Sequence, residues 1–241
     1  MRSSLWSGFN SAIAVVMRVG FTLGALLASQ LLIPTGALEG AELPKPLNYV
    51  VLGDSTAAGV GADYEAGIAA CTERELAKRF RVEMINLAVS GAQLSDVREH
   101  QLSTALKVHP DVVLLSAGAN DVTHLTTVRS MRSDLRAIVQ ELRAANPDVK
   151  IVITGSPDMG SPPRIPRLLR GIASKRTQQV NEMFEHEARE NSLVFAPIAT
   201  RTGPLFRRDR SLFAPDNFHP NERGYAAWVS VLNEALAQAT H

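Results

Sequence analysis

The chain has 241 residues, 45% of them hydrophobic and 20% charged, enough for one domain whose core needs no disulfides or structural metal. A single cysteine, Cys71, excludes an internal disulfide framework and a cysteine-rich zinc site, and ordinary Gly and Pro counts exclude collagen-like and low-complexity readings. With 25 Lys and Arg against 24 Asp and Glu the net charge is +1, which offers no electrostatic footprint for nucleic acid.

The first element is a leader. Residues Val19 to Leu38 carry no charge, Arg18 stands just before them, and the small residues Thr35-Gly36-Ala37 follow the apolar run. A basic flank, an apolar stretch and small residues describe a secretory signal peptide. The region before Arg18 is long for one, and a start at Met17 would make Met17-Arg18 a compact basic flank. An uncleaved anchor is the rival: the run to Ile33 is shorter than the about 20 residues that span a bilayer, and Ser29 and Gln30 interrupt it. Residues 1–37 are therefore expected to be a signal peptide or anchor, and residues 38–241 one extracytoplasmic domain, secreted or at the cell surface. Cleavage after Ala37 leaves 23 basic residues facing 24 acidic ones.

Beyond the leader, apolar runs alternate with helical patterns. Asn48 to Leu52 suits a strand buried on both faces, and Val82 to Leu87 reads the same way. Asp111 to Ser116 and Val149 to Thr154 make two more strands, and Leu193 to Phe195 a short fifth. Helical periodicity covers Glu65 to Phe80, Leu94 to Val108, Thr127 to Ala145, Gly171 to Asn191 and Glu222 to Ala239. Such alternation predicts right-handed crossovers and a mostly parallel sheet covered on both faces, with its chemistry at the carboxyl ends of the strands.

Four loops at those ends hold reactive groups. Gly53-Asp54-Ser55 places Ser55 at a strand-to-helix turn, where its hydroxyl can face a ligand; a serine there is also a common turn former, and the motif is not a Gly-x-Ser-x-Gly elbow. Gly91, after the second strand, can present a backbone N–H to a developing oxyanion. Asn120, in Gly118-Ala119-Asn120-Asp121, can offer an amide N–H to the same charge, with Asp121 bracing the loop; an Asx-turn is the alternative. Last, Asp216 and His219 stand three residues apart. Pro220 pushes His219 into extended backbone and Asn221 is placed to cap the final helix. A carboxylate so close to an imidazole can orient it as a general base.

Taken together, Gly53-Asp54-Ser55 with Gly59, then Gly91, then Gly118-Ala119-Asn120-Asp121, then Asp216-Asn217-Phe218-His219-Pro220, resemble the blocks of the SGNH (GDSL-type) hydrolase superfamily, from Tyr49 to the C-terminus. The resemblance implies an α/β, three-layer flavodoxin-like fold with a five-stranded parallel sheet. It also implies a serine esterase or lipase with Ser55, Asp216 and His219 as catalytic triad and Ser55, Gly91 and Asn120 as oxyanion hole. Thr56 stands where the family commonly has Leu. No cofactor or metal is implied, and the remaining histidines show no His-Glu-x-x-His spacing. The partner expected is a small-molecule or lipid ester. Carbohydrate O-acetylesterase, thioesterase and a non-catalytic extracellular binding domain are the alternatives.

One stretch stands apart. From Pro162 to Lys175 three prolines predict an extended lid, and no acid occurs between Asp158 and Glu182. Arg164, Arg167 and Arg170 interleave with Ile165, Leu168, Leu169 and Ile172, a pattern that suits a membrane surface as well as a solvated loop packed on the domain.

Overall fold

In the computed structural model, which describes residues 45–241, the apolar runs form five strands: β1 (Leu47–Gly53), β2 (Val82–Asn86), β3 (Val112–Ser116), β4 (Lys150–Ile153) and β5 (Val194–Phe195). They pair in parallel in the order β2-β1-β3-β4-β5, the flavodoxin-like doubly wound arrangement. The leader expected over residues 1–37 lies outside the described residues.

Eight helical segments connect and cover the sheet: α1 (Ile68–Leu76), α2 (Leu94–Asp96), α3 (Leu102–Lys107), α4 (Ala119–Thr123), α5 (Val128–Ala145), α6 (Arg167–Glu190), α7 (Ile198–Arg208) and α8 (Glu222–Ala239). A π turn at Val97–Gln101 joins α2 to α3. Because side chains alternate along a strand, β1 feeds two cores. Val50 and Leu52 join Leu102, Leu135, Ile138 and Phe184 on one face. Tyr49 and Val51 join Ile68, Phe206, Tyr225 and Leu232 on the other. The result is three layers, helix on sheet on helix.

Several ends have local causes. The Thr127 hydroxyl accepts the Ser130 N–H at 3.1 Å and starts α5, and the Asn221 side chain accepts the Gly224 N–H at 3.1 Å and starts α8, as its position before Glu222 implied.

The structure corrects three expectations. Strand β2 is an edge strand with Glu83 and Ile85 exposed and Val82 and Met84 half-buried, so its apolar run is covered on one side only. Helix α6 begins at Arg167, four residues before the expected start, because Pro166 fits a helix boundary and Gly171 is tolerated inside; only Pro162 to Pro166 of the expected lid is irregular. Helix α7 is an addition. Pro204 within it hides its helical pattern, yet Ile198 and Phe206 anchor it in the core. Cys71 is half-buried beside Arg74 and Glu65.

Candidate active site

The sheet brings three of the four loops into contact around Ser55. This serine follows β1 in a turn closed by Ala58 N–H to Asp54 O (3.0 Å) and Val60 N–H to Ser55 O (2.9 Å). The side chain is buried at the bottom of a cleft. His219 Nε2 stands 2.9 Å from Ser55 Oγ, and His219 Nδ1 stands 2.5 Å from Asp216 Oδ2. An ionised carboxylate only accepts, so Nδ1 carries the proton and Nε2 presents its lone pair to the serine hydroxyl.

The loop from Phe213 to Pro220 is built to hold that pair. Phe213 and Pro220 form an antiparallel bridge, Ala214 N–H donates to His219 O at 2.8 Å, and Asn217 turns the chain at a left-handed φ of +58°. Asparagine tolerates that backbone better than most residues. Asp216 Oδ1 accepts the backbone N–H groups of Phe218 (3.0 Å) and His219 (3.1 Å). Partial burial works against the Asp216 charge, but the His219 hydrogen bond and the two amides outweigh it and hold the carboxyl below its usual range.

Across the serine lie the candidate oxyanion donors. The Asn120 amide donates one N–H to Ala92 O at 3.0 Å, leaving its second N–H uncommitted and tying the Asn120 and Gly91 loops together. The backbone N–H groups of Ser55 and Gly91 have no hydrogen-bond partner among the described residues. Gly91 holds φ +88° with open space where a side chain would stand, so glycine is needed there for its backbone and not for room. Ser55, Asn120 and His219 line one cleft, while Gly91 sits on the exposed loop beside it.

That cleft is narrow, with Ser55 and His219 on its lining. Met159, Phe206, Phe213, Phe218 and Trp228 give it an apolar wall next to the reactive oxygen, the character of a site for the hydrocarbon part of a small molecule.

Four positioning residues were not legible as such. Gln101, in the π turn, is buried; its Oε1 accepts the Gly53 N–H at 2.9 Å and its Nε2 donates to Gly53 O at 2.8 Å. It thereby completes the hydrogen bonding at the end of β1, one residue before the Asp54-Ser55 turn. The signal was a glutamine on the otherwise apolar Leu94, Val97, Ala105 face. Asn86 donates to Ala57 O at 3.0 Å and accepts the Ala88 N–H at 3.0 Å, coupling the Ser55 turn to the second loop. Gly61 lies so close to the histidine loop that a Cβ there would come within 2.4 Å of Pro220 O and 2.9 Å of His219 Cβ. Tyr225 donates its hydroxyl to Val60 O at 2.7 Å and clamps the same turn from α8.

Thr56, the departure from the family pattern, braces the site. Its hydroxyl and backbone N–H donate to Asp54 Oδ1 at 2.7 and 2.9 Å. The other Asp54 oxygen is buried without a partner, and burial raises its pKa. Asp121 accepts the Leu94 N–H at 3.2 Å, bracing the loop as expected, and burial pushes its pKa up to about 6.

A serine, an imidazole and a carboxylate in this relay, on a flavodoxin-like sheet, define the serine-hydrolase class of site. The model of the GDSL-like lipase/acylhydrolase family matches residues 51–227, and the chain belongs to that family. A GDSL-like esterase of Mycobacterium tuberculosis is 28% identical over 204 residues, covering 82% of this chain; the chain spans 64% of that relative's length. Among solved structures, TesA superposes with a TM-score of 0.66 at 17% identity, over 80% of this chain and 99% of that one. An acetylxylan esterase of Geobacillus stearothermophilus superposes at 0.65 with 15% identity, over 79% and 94%. These two share the fold.

Proposed function

We propose that the protein cleaves carboxylic esters with Ser55 as nucleophile, His219 as general base and Asp216 as the group that orients the imidazole. The observation that carries this is the unbroken relay from Ser55 Oγ through His219 to Asp216. Ser55 Oγ forms a bond to the ester carbonyl carbon while its proton passes to Nε2, and Asp216 stabilises the imidazolium. The carbonyl oxygen becomes an oxyanion, received by the N–H groups of Ser55 and Gly91 and by the Asn120 amide. As the tetrahedral species collapses, the carbon–oxygen bond to the alcohol breaks and His219 returns the proton to the leaving oxygen. Water, deprotonated by the same imidazole, then attacks the acyl-serine and releases the acid. The apolar cleft wall fits the acyl or hydrocarbon part of the substrate. The uncharged run from Val19 to Leu38 behind Arg18, read as a leader, supports a working place outside the cytoplasm.

A fluorophosphonate probe tests the reading. Wild type is expected to label at one serine and Ser55→Ala not at all; labelling retained in Ser55→Ala would move the nucleophile elsewhere, with Ser90 the nearest candidate. p-Nitrophenyl esters from acetate to palmitate, run alongside, read the acyl length the cleft accepts.

A further inference from the structure

The first turns of α6 form a surface that the hydrolase reading leaves unused. The buried stripe of this helix begins at Thr177 and runs through Val180, Met183 and Phe184. Ahead of it, Leu168 and Ile172 stand one turn apart, 93% and 65% exposed, with Leu169 at 50%. Leucine and isoleucine at i, i+1 and i+4 on one face, without a covering element, are a patch and not scattered surface residues. Leu125 adds to it at 70% exposure. Arg176, one turn beyond Ile172, donates to the Thr126 carbonyl and so holds the Leu125 loop beside α6.

This patch belongs to the rim of the cleft. Helix α6 follows β4 at the carboxyl end of the sheet, where Ser55 also stands. Arg164 donates its N–H to Asn217 O at 2.9 Å, and its guanidinium lies over the Phe218 ring, 5.5 Å from the centroid. Phe218 lines the cleft next to His219.

From Pro162 to Lys175, the strap and the first turns of α6, all charged side chains are basic, and the nearest exposed acid, Asp216, is engaged by His219. Arg170 is turned inward, donating to the Ile165 and Pro163 carbonyls at 3.0 Å, so it staples the strap and is withdrawn from the surface set expected from sequence. Arg164, Arg167 and Lys175 are exposed and make no ion pair among the described residues. Asp158, the acid before the strap, is buried and already engaged by Arg207 and Ser174.

We propose that this face docks on an anionic lipid surface, with Leu168, Leu169, Ile172 and Leu125 entering the acyl boundary and Arg164, Arg167 and Lys175 meeting the headgroups. Apolar side chains ringed by unpaired cations are the combination such a surface selects. Among the described residues no helix is long and apolar enough to cross a membrane, so this contact lies on the bilayer. The substrate class that follows, an ester presented at a lipid surface, rests on the hydrolase reading; the docking does not.

The test places the full-length chain on vesicles of brominated phosphatidylglycerol and of brominated phosphatidylcholine. Tryptophan at the patch, as Leu168→Trp, is expected to be quenched on the anionic vesicles well beyond the wild-type background of Trp6 and Trp228, and not on the neutral ones. Because the reporter is at position 168, binding through the apolar leader does not imitate this result. Quenching no greater than background, or equal on both lipids, overturns the proposal. Arg167→Gln/Lys175→Gln and Leu168→Ser/Ile172→Ser are each expected to slow hydrolysis of a vesicle-borne ester at least tenfold with a soluble short ester unaffected. Equal loss on both esters, or a wild-type dimer made monomeric by the serine pair with vesicle quenching unchanged, also overturns it. Adding Ser55→Ala separates the two readings: it is expected to abolish turnover and leave the quenching intact.

Discussion

Two regions of the molecule bury carboxylates and treat them in opposite ways. On the seam between α5 and α6, Glu187 is fully buried but meets two guanidiniums, with Arg136 donating at 2.7 and 3.0 Å and Arg132 Nε forming an ion pair at 3.2 Å. Burial opposes its charge, yet the arginines outweigh burial and hold its pKa below the usual value. Beside Ser55, Asp54 and Asp121 are equally buried, each with one oxygen unpartnered, and their pKa values are raised. The seam is neutralised because it only has to hold two helices together. Beside Ser55 no arginine or lysine pairs with Asp54 or Asp121 among the described residues, and the unsatisfied oxygens there are the kind of local conflict expected at a functional centre.

The sharpest break of the comparison is within the site itself. His219→Ala removes the base and is expected to lower kcat/KM by on the order of 10⁴–10⁶-fold, with Asp216→Ala no more severe because a poorly oriented base remains. Steady-state rates on a soluble ester read the difference, and near-normal turnover in His219→Ala would remove the relay from the mechanism. The midpoint of urea unfolding should barely move, since His219 lies on a surface loop.

At the seam the pattern inverts. Glu187→Ala leaves Arg132 and Arg136 facing each other without their counter-ion and is expected to destabilise the fold by about 3 kcal/mol, at the lower end for a broken buried pair because both arginines are half exposed. Urea titration reads the loss, and kcat on the same soluble ester should stay close to wild type. Lost turnover without lost stability would mean that α5 and α6 transmit to the site.

What the residues told in advance divides along the same line. The runs of β1, β3 and β4 are continuous apolar stretches, and burial on a parallel sheet makes that pattern plain, so the loops at their ends could be placed from it; the half-covered edge strand β2 was misjudged, and the sheet arrangement came with the family resemblance. The Asp216–His219 half of the relay was legible because the two are three residues apart and need no long-range packing to meet, whereas Ser55, 164 residues from His219, was joined to them only by the family resemblance. Gln101 and Asn86 were not, since what they do depends on partners 48 and 29 residues away. Helix α7 was hidden by Pro204, where core contacts of Ile198 and Phe206 override local propensity. Glu187 looked like any exposed helical acid, because only the approach of α5 to α6 buries it.

A pH dependence tests the comparison most directly, through the sign of its slope. The Asp121 carboxyl is held at about 6 in the fold, chiefly by burial and further by the nearby Asp54 and Asp134 charges, against the Leu94 N–H that favours ionisation. A raised acid is protonated in the fold while the unfolded chain has already ionised, so its favourable contribution is complete below about pH 4 and is lost as pH rises to about 6. At about 1.4 kcal/mol per pKa unit, the loss is about 3 kcal/mol between those limits. Glu187, with its pKa lowered, slopes the other way: its contribution is present at neutral pH and is lost as pH falls through the carboxylate range. Asp121→Asn keeps an oxygen for the Leu94 N–H and removes the ionisation, so it is expected to flatten the fall between pH 4 and 6 and to gain stability at pH 7. Asp54, raised by burial in the same direction, leaves a residual slope. Urea unfolding of wild type, Asp121→Asn and Glu187→Gln at half-unit steps from pH 4 to 7.5 separates the two regions. Superimposable profiles for wild type and Asp121→Asn would show that water or a cation compensates the buried charge, and that the site and the seam are neutralised alike.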